Sequence, residues 1–68
     1  MTIKEIMELC NDYKIDQPTH FEKDWLIFGP KKQVGYDDLD YLKYVFNPRK
    51  LEVRPGEGSR MYIYMNLG

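Results

Sequence analysis

The stretch from Arg60 to Met65 alternates strictly between two kinds of side chain. One set consists of Met61, Ile63 and Met65, and the other of Arg60, Tyr62 and Tyr64. Because successive side chains of a strand point to opposite faces, the alternation predicts a strand with one apolar face and one aromatic, basic face. Any fold for this chain must therefore contain a sheet that buries at least one side of this strand.

The residues before this strand predict its hairpin partner. Leu51 and Val53 alternate with charged residues, and Pro55-Gly56-Glu57-Gly58 is a turn signal. The apolar side chains of both strands must share one side of the sheet. The other side then carries Lys50, Glu52, Arg54, Arg60, Tyr62 and Tyr64.

Two registers of this hairpin keep the two faces aligned. Val53 opposite Met61 sets Arg54 against Arg60, whereas Leu51 opposite Met61 sets Glu52 against Arg60. Opposite charges across a strand pair stabilise it and like charges destabilise it. We therefore favour the second register.

The N-terminal part of the chain predicts a helix and then an undecided segment. Thr2 and Glu5 match a capping box, and apolar residues recur at helical spacing, so we expect an amphipathic helix over residues 3–14. Residues 15–24 are ambiguous because Pro18 interrupts them. Thr19-x-x-Glu22 is a second capping-box match there, compatible with a short helical turn.

A second hairpin and a second helix are predicted in the middle of the chain. Trp25 to Phe28 is an apolar run typical of a central strand, Gly29 to Lys32 is a turn signal, and residues 33–36 suit a short return strand. Residues 37–46 predict a helix with acidic residues in its first turn and Pro48 beyond its end. We expect Trp25 to lie in the core.

These elements predict one α+β domain over residues 1–68. The expected order is α-β-β-α-β-β, with an antiparallel sheet and two helices packed mainly on one face. A chain of 68 residues buries a thin core. The single cysteine, Cys10, excludes a disulfide within the chain, and one Cys with one His cannot build a structural zinc site.

Composition and charge restrict the class of partner and the compartment. The net charge is −1, so no overall positive field attracts nucleic acid or an anionic membrane. The first residues lack the basic start and apolar run of a signal peptide, and no apolar run approaches the length of a membrane span. With its lone cysteine, the sequence is typical of a cytoplasmic protein.

The aromatic, basic side of the closing hairpin is the main candidate site. Its residues, the six named above, suit recognition of a partner because tyrosine and arginine are enriched at interface hot spots. Two other interpretations remain open: an ordinary solvated sheet face, or a core face that a helix covers.

Secondary candidates have simpler explanations. Lys31 and Lys32 are expected to form a solvated turn, and they do not belong to a phosphate-binding loop. The acidic residues Asp37, Asp38 and Asp40 are explained by the start of the second helix, because a calcium-type loop would need other ligands and a glycine. We expect Cys10 to be a buried apolar residue and His20 to lie at the surface.

No catalytic constellation, cofactor loop or metal-ligand set is visible, so we expect no enzyme and no cofactor. The favoured hypothesis is a small protein-interaction module that docks on a larger protein machine and modulates or inhibits it. An analogy of class alone suggests a phage or mobile-element origin. The alternatives are weak single-stranded nucleic-acid binding on the closing hairpin and a homodimer formed through the terminal strand as a sheet edge. A helix-turn-helix is not expected, because no short turn leads from the first helix into a basic one.

Overall fold

Two helices and four strands make up the fold in the computed structural model, which describes all 68 residues. The elements are α1 Ile3–Asp12, β1 His20–Glu22, β2 Trp25–Lys31, α2 Tyr36–Phe46, β3 Lys50–Pro55 and β4 Met61–Asn66. The predicted α+β class and element order are confirmed.

The four strands form one antiparallel sheet in the order β1-β2-β4-β3. The C-terminal strand β4 is therefore central, between β2 and β3. The expectation that the terminal strand is a sheet edge is wrong, and the edges are β1 and β3 instead.

The start of α1 follows the capping box that the sequence predicts. The Thr2 hydroxyl accepts from the Glu5 N–H at 3.2 Å, and the Thr2 N–H donates to Glu5 Oε1 at 3.1 Å. The helix ends at Asp12, two residues earlier than predicted, because Lys14 adopts a positive φ of 56°. The chain thus turns out of the helix toward β1.

The first hairpin occupies a different segment from the predicted one. It joins β1 to β2 through Lys23 and Asp24, with Phe21 opposite Leu26, so part of the undecided segment is a strand. Residues 33–36 form no return strand, and Tyr36 already belongs to α2. The second capping-box match is also wrong, because Thr19 bonds to the backbone of Ile27 and does not start a helix.

The closing hairpin has a register that differs from both predicted ones. Val53 lies opposite Ile63, and the pairing continues to Pro55 opposite Met61. The prediction placed Pro55 in the turn, whereas the turn begins at Gly56. The shift is an even number of residues, so the assignment of side chains to the two faces remains correct.

Both helices pack on the same face of the sheet. The core combines Ile6 and Cys10 of α1 and Leu42 and Phe46 of α2 with four residues of the central strands, Leu26, Phe28, Ile63 and Met65. Ile63 and Met65 are fully buried, as their place in the alternation predicts. The face of the sheet that points away from the helices carries no further layer of secondary structure.

Candidate functional site

The face of the sheet opposite the helices, here called the open face, brings the main candidate residues together. It carries residues from all four strands: His20, Glu22, Trp25, Ile27, Lys50, Glu52, Arg54, Tyr62, Tyr64 and Asn66. Arg60 lies in the loop before β4 and is exposed. No helix covers Tyr62 and Tyr64, so the interpretation of this side as a helix-covered core face is wrong.

Trp25, Tyr64 and Arg54 form a packed cluster on the open face, across strands β2, β4 and β3. The Trp25 and Tyr64 rings meet edge to face, with centroids 6.3 Å apart and planes at 69°. The Arg54 guanidinium lies over the Tyr64 ring at 4.2 Å from its centroid and reaches to 5.7 Å from Trp25. Contacts of this kind attract the cation to the ring face and fix its position.

Trp25 corrects a prediction from the sequence. It was expected in the core, but it is half-buried and lies on the open face. The helix side of β2 is instead filled by Leu26 and Phe28. An apolar run does not reveal which of its alternate residues face the helices, and the position of Trp25 follows only from its pairing with Asn66 of β4.

Glu52 holds the two basic side chains of β3 in place. Its carboxylate accepts from Lys50 Nζ at 2.9 Å and from Arg54 Nε and Nη2 at 2.9 and 2.8 Å. Hydrogen bonds from Lys50 and then Arg54 lower the pKa of Glu52, and the bonds to Glu52 raise the pKa of Arg54. The predicted pairing of Glu52 with Arg60 is therefore wrong, because Glu52 lies opposite Tyr64 and bonds along its own strand.

Tyr62 lies against glycine on both sides. A β-carbon on Gly56 would come within 2.5 Å of its ring, and one on Gly29 would lie 3.2 Å from it. Gly29 sits at the irregularity in the pairing of β2 with β4, between Phe28 and Lys31. The ring therefore fills space that two missing side chains leave, and Tyr62 supports the hairpin as well as the open face.

The open face and the loop between β3 and β4 carry equal numbers of basic and acidic residues. They carry three basic residues, Lys50, Arg54 and Arg60, and three acidic residues, Glu22, Glu52 and Glu57. Binding to phosphates gains its strength from uncompensated cations that displace counterions. The open face has no such excess of cations, and it also contains Trp25 and two half-buried tyrosines.

The secondary candidates lie away from the open face. The expectation that Lys31 lies in a solvated turn is wrong, because β2 continues to Lys31, which pairs with Met61 on the helix side. The Lys31 Nζ lies 3.8 Å from Asp16 Oδ2. Asp38 accepts from the Gly35 N–H at 3.3 Å, which is the helix-start role that the sequence indicates. Asp37 and Asp40 are exposed on α2, and Lys32 is exposed in the loop that precedes it.

Cys10 and His20 occupy the surroundings predicted for them. Cys10 is fully buried in the core, where burial raises the pKa of its thiol. His20 is exposed on β1, and its Nδ1 lies 3.1 Å from the Thr19 hydroxyl.

A cluster of exposed tyrosines lies on the helical side of the molecule. Tyr13 meets Tyr41 and Tyr44 edge to face, at centroid distances of 6.3 and 6.4 Å, and the Tyr41 hydroxyl donates to the Tyr13 carbonyl at 3.0 Å. Tyr41 and Tyr44 are three residues apart and so share one side of α2. That spacing was a signal in the sequence, but the contact with Tyr13 depends on how the two helices pack.

Comparison with known proteins yields no relative, because no protein-family model, no curated sequence and no solved structure matches the chain. Neither α1 nor α2 has the length and apolar character that a transmembrane helix requires.

Proposed function

We propose that this chain is a non-enzymatic protein-interaction module that docks on a larger protein through its open face and modulates it. The observation that carries the proposal is the cluster of Trp25, Tyr64 and Arg54 on a sheet face without a covering layer. Trp, Tyr and Arg are the residues most enriched at interface hot spots, and they contribute most where they cluster at the centre of a surface.

The contacts within the cluster favour tight docking. Long side chains lose about 0.5–1.5 kcal/mol each when an interface immobilises them. Arg54 is already held by Glu52 on one side and by the Tyr64 ring on the other. The Arg54 side chain is therefore largely ordered before binding, so less conformational entropy is lost when a partner docks.

Single-stranded nucleic acid is the alternative occupant of the same face. Base stacking requires an accessible ring face. The Arg54 guanidinium occupies one face of Tyr64, and Glu52 engages both Lys50 and Arg54. Together with the balance of charges, these contacts favour a protein partner.

The cellular setting belongs to the same proposal. A lone buried Cys10 is compatible with a reducing compartment, so we place the protein in the cytoplasm. Inhibition or modulation of a host machine by a phage or mobile-element product remains the biological role that we favour, on analogy of class alone.

Site-specific photo-cross-linking in the native cell tests the proposal. A photoreactive phenylalanine derivative replaces Tyr64 on the open face in one variant and Tyr44, which is 75% exposed on α2, in a control variant. We expect one protein to cross-link from position 64 and not from position 44. Equal products from both positions, or none from position 64, would contradict docking through the open face.

The nucleic-acid alternative has a separate test with purified protein. Fluorescence anisotropy of labelled single-stranded DNA and RNA is measured at low and high salt. We expect no saturable binding. Binding that weakens with salt and disappears in Lys50→Glu, but persists in the matched helix-side variant Lys4→Glu, would favour the alternative instead.

A further inference from the structure

Strand β3 lies at an edge of the sheet, so the backbone N–H and C=O groups on the flank away from β4 have no partner strand. The hydrogen bonds between β3 and β4 identify which residues carry these outward groups. The Gly56 N–H donates to the Arg60 carbonyl at 2.9 Å, which makes residues 56 and 60 a hydrogen-bonded pair. Bonded pairs alternate along an antiparallel ladder, so Glu52 and Arg54 bond to β4. The N–H and C=O groups of Leu51 and Val53 consequently point to the open edge.

Pro55 supports this assignment and explains why the strand extends through it. Pro55 is one of the outward-facing positions, so its missing N–H removes no bond to β4. On the flank of β4 that faces β2, the Leu67 N–H donates to the carbonyl of Asp24, the residue before β2, at 2.9 Å. The odd-numbered residues near the end of the chain therefore bond toward β2 and the even-numbered ones toward β3, as the same alternation requires.

We propose that β3 pairs antiparallel with β3 of a second copy of this chain, about a two-fold axis at Val53. The two sheets then join edge to edge, with both helical layers on one side and both open faces on the other. A pairing of identical edges of this kind closes on itself, so it gives a dimer and no filament.

Charge selects this axis among the pairings that keep the faces aligned. An axis at Glu52 sets Glu52 against its own copy and Lys50 against Arg54, which are both like-charged pairs. An axis at Val53 sets Glu52 of each copy against Arg54 of the other. Opposite charges in directly facing positions stabilise a strand pair.

Axes at Lys50 and Arg54 set each of these residues against its own copy, which is again a like-charged pair. An axis at Leu51 is the remaining alternative, and it matches the edge less well. It sets Lys50 against Glu52, but it also places Val53 opposite Arg49, which precedes the strand. The axis at Val53 keeps the pairing between Leu51 and Pro55, inside the strand of both copies. Lys, Arg and Pro commonly protect a sheet edge from other edges, and with the axis at Val53 the proline lies at the end of the paired segment, where it limits the pairing to Leu51 through Pro55.

The axis at Val53 also uses the outward backbone groups and covers an exposed apolar residue. Each Val53 N–H faces the Val53 carbonyl of the other copy, and each Leu51 N–H faces the carbonyl of Pro55. The Leu51 carbonyl meets no donor in return, because Pro55 has no N–H, so the pairing ends at Pro55. Val53 is 40% exposed although it lies on the helix side, so the helices do not cover this edge. Pairing brings the two Val53 side chains together and removes them from water.

Disulfide trapping tests the axis directly. Facing residues of a bonded antiparallel pair have Cα atoms about 5.5 Å apart, within the range that a disulfide spans. We expect purified Val53→Cys to form a covalent dimer under mild oxidation, and Leu51→Cys to remain monomeric. Cys10 is fully buried and does not compete. If Val53→Cys remains monomeric under oxidation, the proposal is overturned. If Leu51→Cys cross-links in preference to Val53→Cys, the axis lies at Leu51 and the proposed register is wrong.

Charge reversal tests the proposal without a covalent bond. We expect the mass of the wild-type chain in sedimentation equilibrium to rise with concentration from 8.2 kDa toward twice that value. Glu52→Arg and Arg54→Glu should each weaken dimerisation by more than about tenfold, because each creates like-charged pairs on both sides of the axis. An equimolar mixture of the two variants should associate again, since every facing pair is then opposite in charge.

Controls separate pairing through β3 from misfolding and from the docking of another protein. Lys4→Glu makes the same charge change as Arg54→Glu on α1 and should dimerise like the wild type. Circular dichroism must show native folding of each variant. A wild-type chain that stays monomeric throughout, or a mixture that stays monomeric when the wild type dimerises, is incompatible with the proposed pairing. These measurements use the purified chain alone, so their result is independent of the cross-linking to a partner.

Discussion

At the scale of single residues, the contact between Tyr62 and Gly56 makes a sharp prediction. A β-carbon at position 56 would lie 2.5 and 2.8 Å from ring atoms of Tyr62, so Gly56→Ala must displace the ring. We expect a loss of about 1–3 kcal/mol in the free energy of unfolding, as for other overpacked sites. Urea denaturation measures it. In a Tyr62→Ala background the same change should cost much less, and an equal cost in both backgrounds would show that the ring is not the cause.

Cys10 gives a second prediction at this scale. It is fully buried, and burial raises the pKa of its thiol, so the reactive thiolate is both scarce and inaccessible in the folded protein. We expect a chromogenic disulfide reagent to react with Cys10 far more slowly than with a free cysteine. The difference should vanish in denaturing urea, and rapid labelling of the native protein would refute the burial.

Individual residues also show how far the sequence alone can be interpreted. The alternation around Ile63 was enough to assign Tyr62 and Tyr64 to the face opposite the core, because strand geometry is local. Trp25 was misassigned because both faces of its strand are apolar: Leu26 packs under the helices, and the neighbouring Ile27 is buried on the open face. The cluster of Trp25 with Arg54 depends on strands that are distant in sequence, and no local pattern encodes that contact.

At the scale of elements, the capping box of α1 predicts a dependence of stability on pH. Hydrogen bonds from Thr2, the backbone N–H first, lower the pKa of Glu5 in the folded state. A lowered folded pKa contributes stability above the unfolded value of about 4.3, and this contribution is lost as the pH falls through the folded pKa. We therefore expect Glu5→Gln to lose less stability than the wild type between pH 5 and acidic conditions of about pH 2–3.

The other half of the same cap provides a pH-independent comparison. Thr2→Ala removes the hydroxyl that accepts from the Glu5 N–H, and a lost N-cap costs about 0.5–2 kcal/mol. Thermal or urea unfolding at neutral pH measures this loss. A Thr2→Ser variant keeps the acceptor and should remain near the wild type, and a loss of stability in Thr2→Ser equal to that of Thr2→Ala would argue against the cap.

The helices were easier to predict from the sequence than the strands. Both helices were predicted because caps and periodic apolar residues are local signals. The first hairpin was missed because β1 has three residues, all exposed, and therefore no alternation to detect. The register of the closing hairpin was missed because a proline after a strand normally indicates a turn, and only the position of β3 at the edge allows Pro55 to remain in the strand.

At the scale of the whole molecule, stability depends on a single thin core between the helices and one face of the sheet. Domains of this length have about 3–10 kcal/mol of stability, from about 0.05–0.15 kcal/mol per residue. Ile63 is fully buried on the central strand β4, where it contributes to the one core that both helices share. Truncation of a buried isoleucine to alanine costs about 2–5 kcal/mol, which is comparable with the whole stability.

We therefore expect Ile63→Ala to unfold much of the population at 25 °C, and Ile63→Val, at a cost of about 0.5–1.5 kcal/mol, to remain folded. Ile3→Ala is the matched control, because Ile3 is 55% exposed on α1 and alanine favours helix. Urea denaturation with circular dichroism compares the three variants. If Ile63→Ala kept the stability of Ile3→Ala, the stability of the fold would have to come from the open face, where Trp25, Ile27 and Tyr64 pack without help from a helix. That face would then be a second core, and its role in docking would have to be reconsidered.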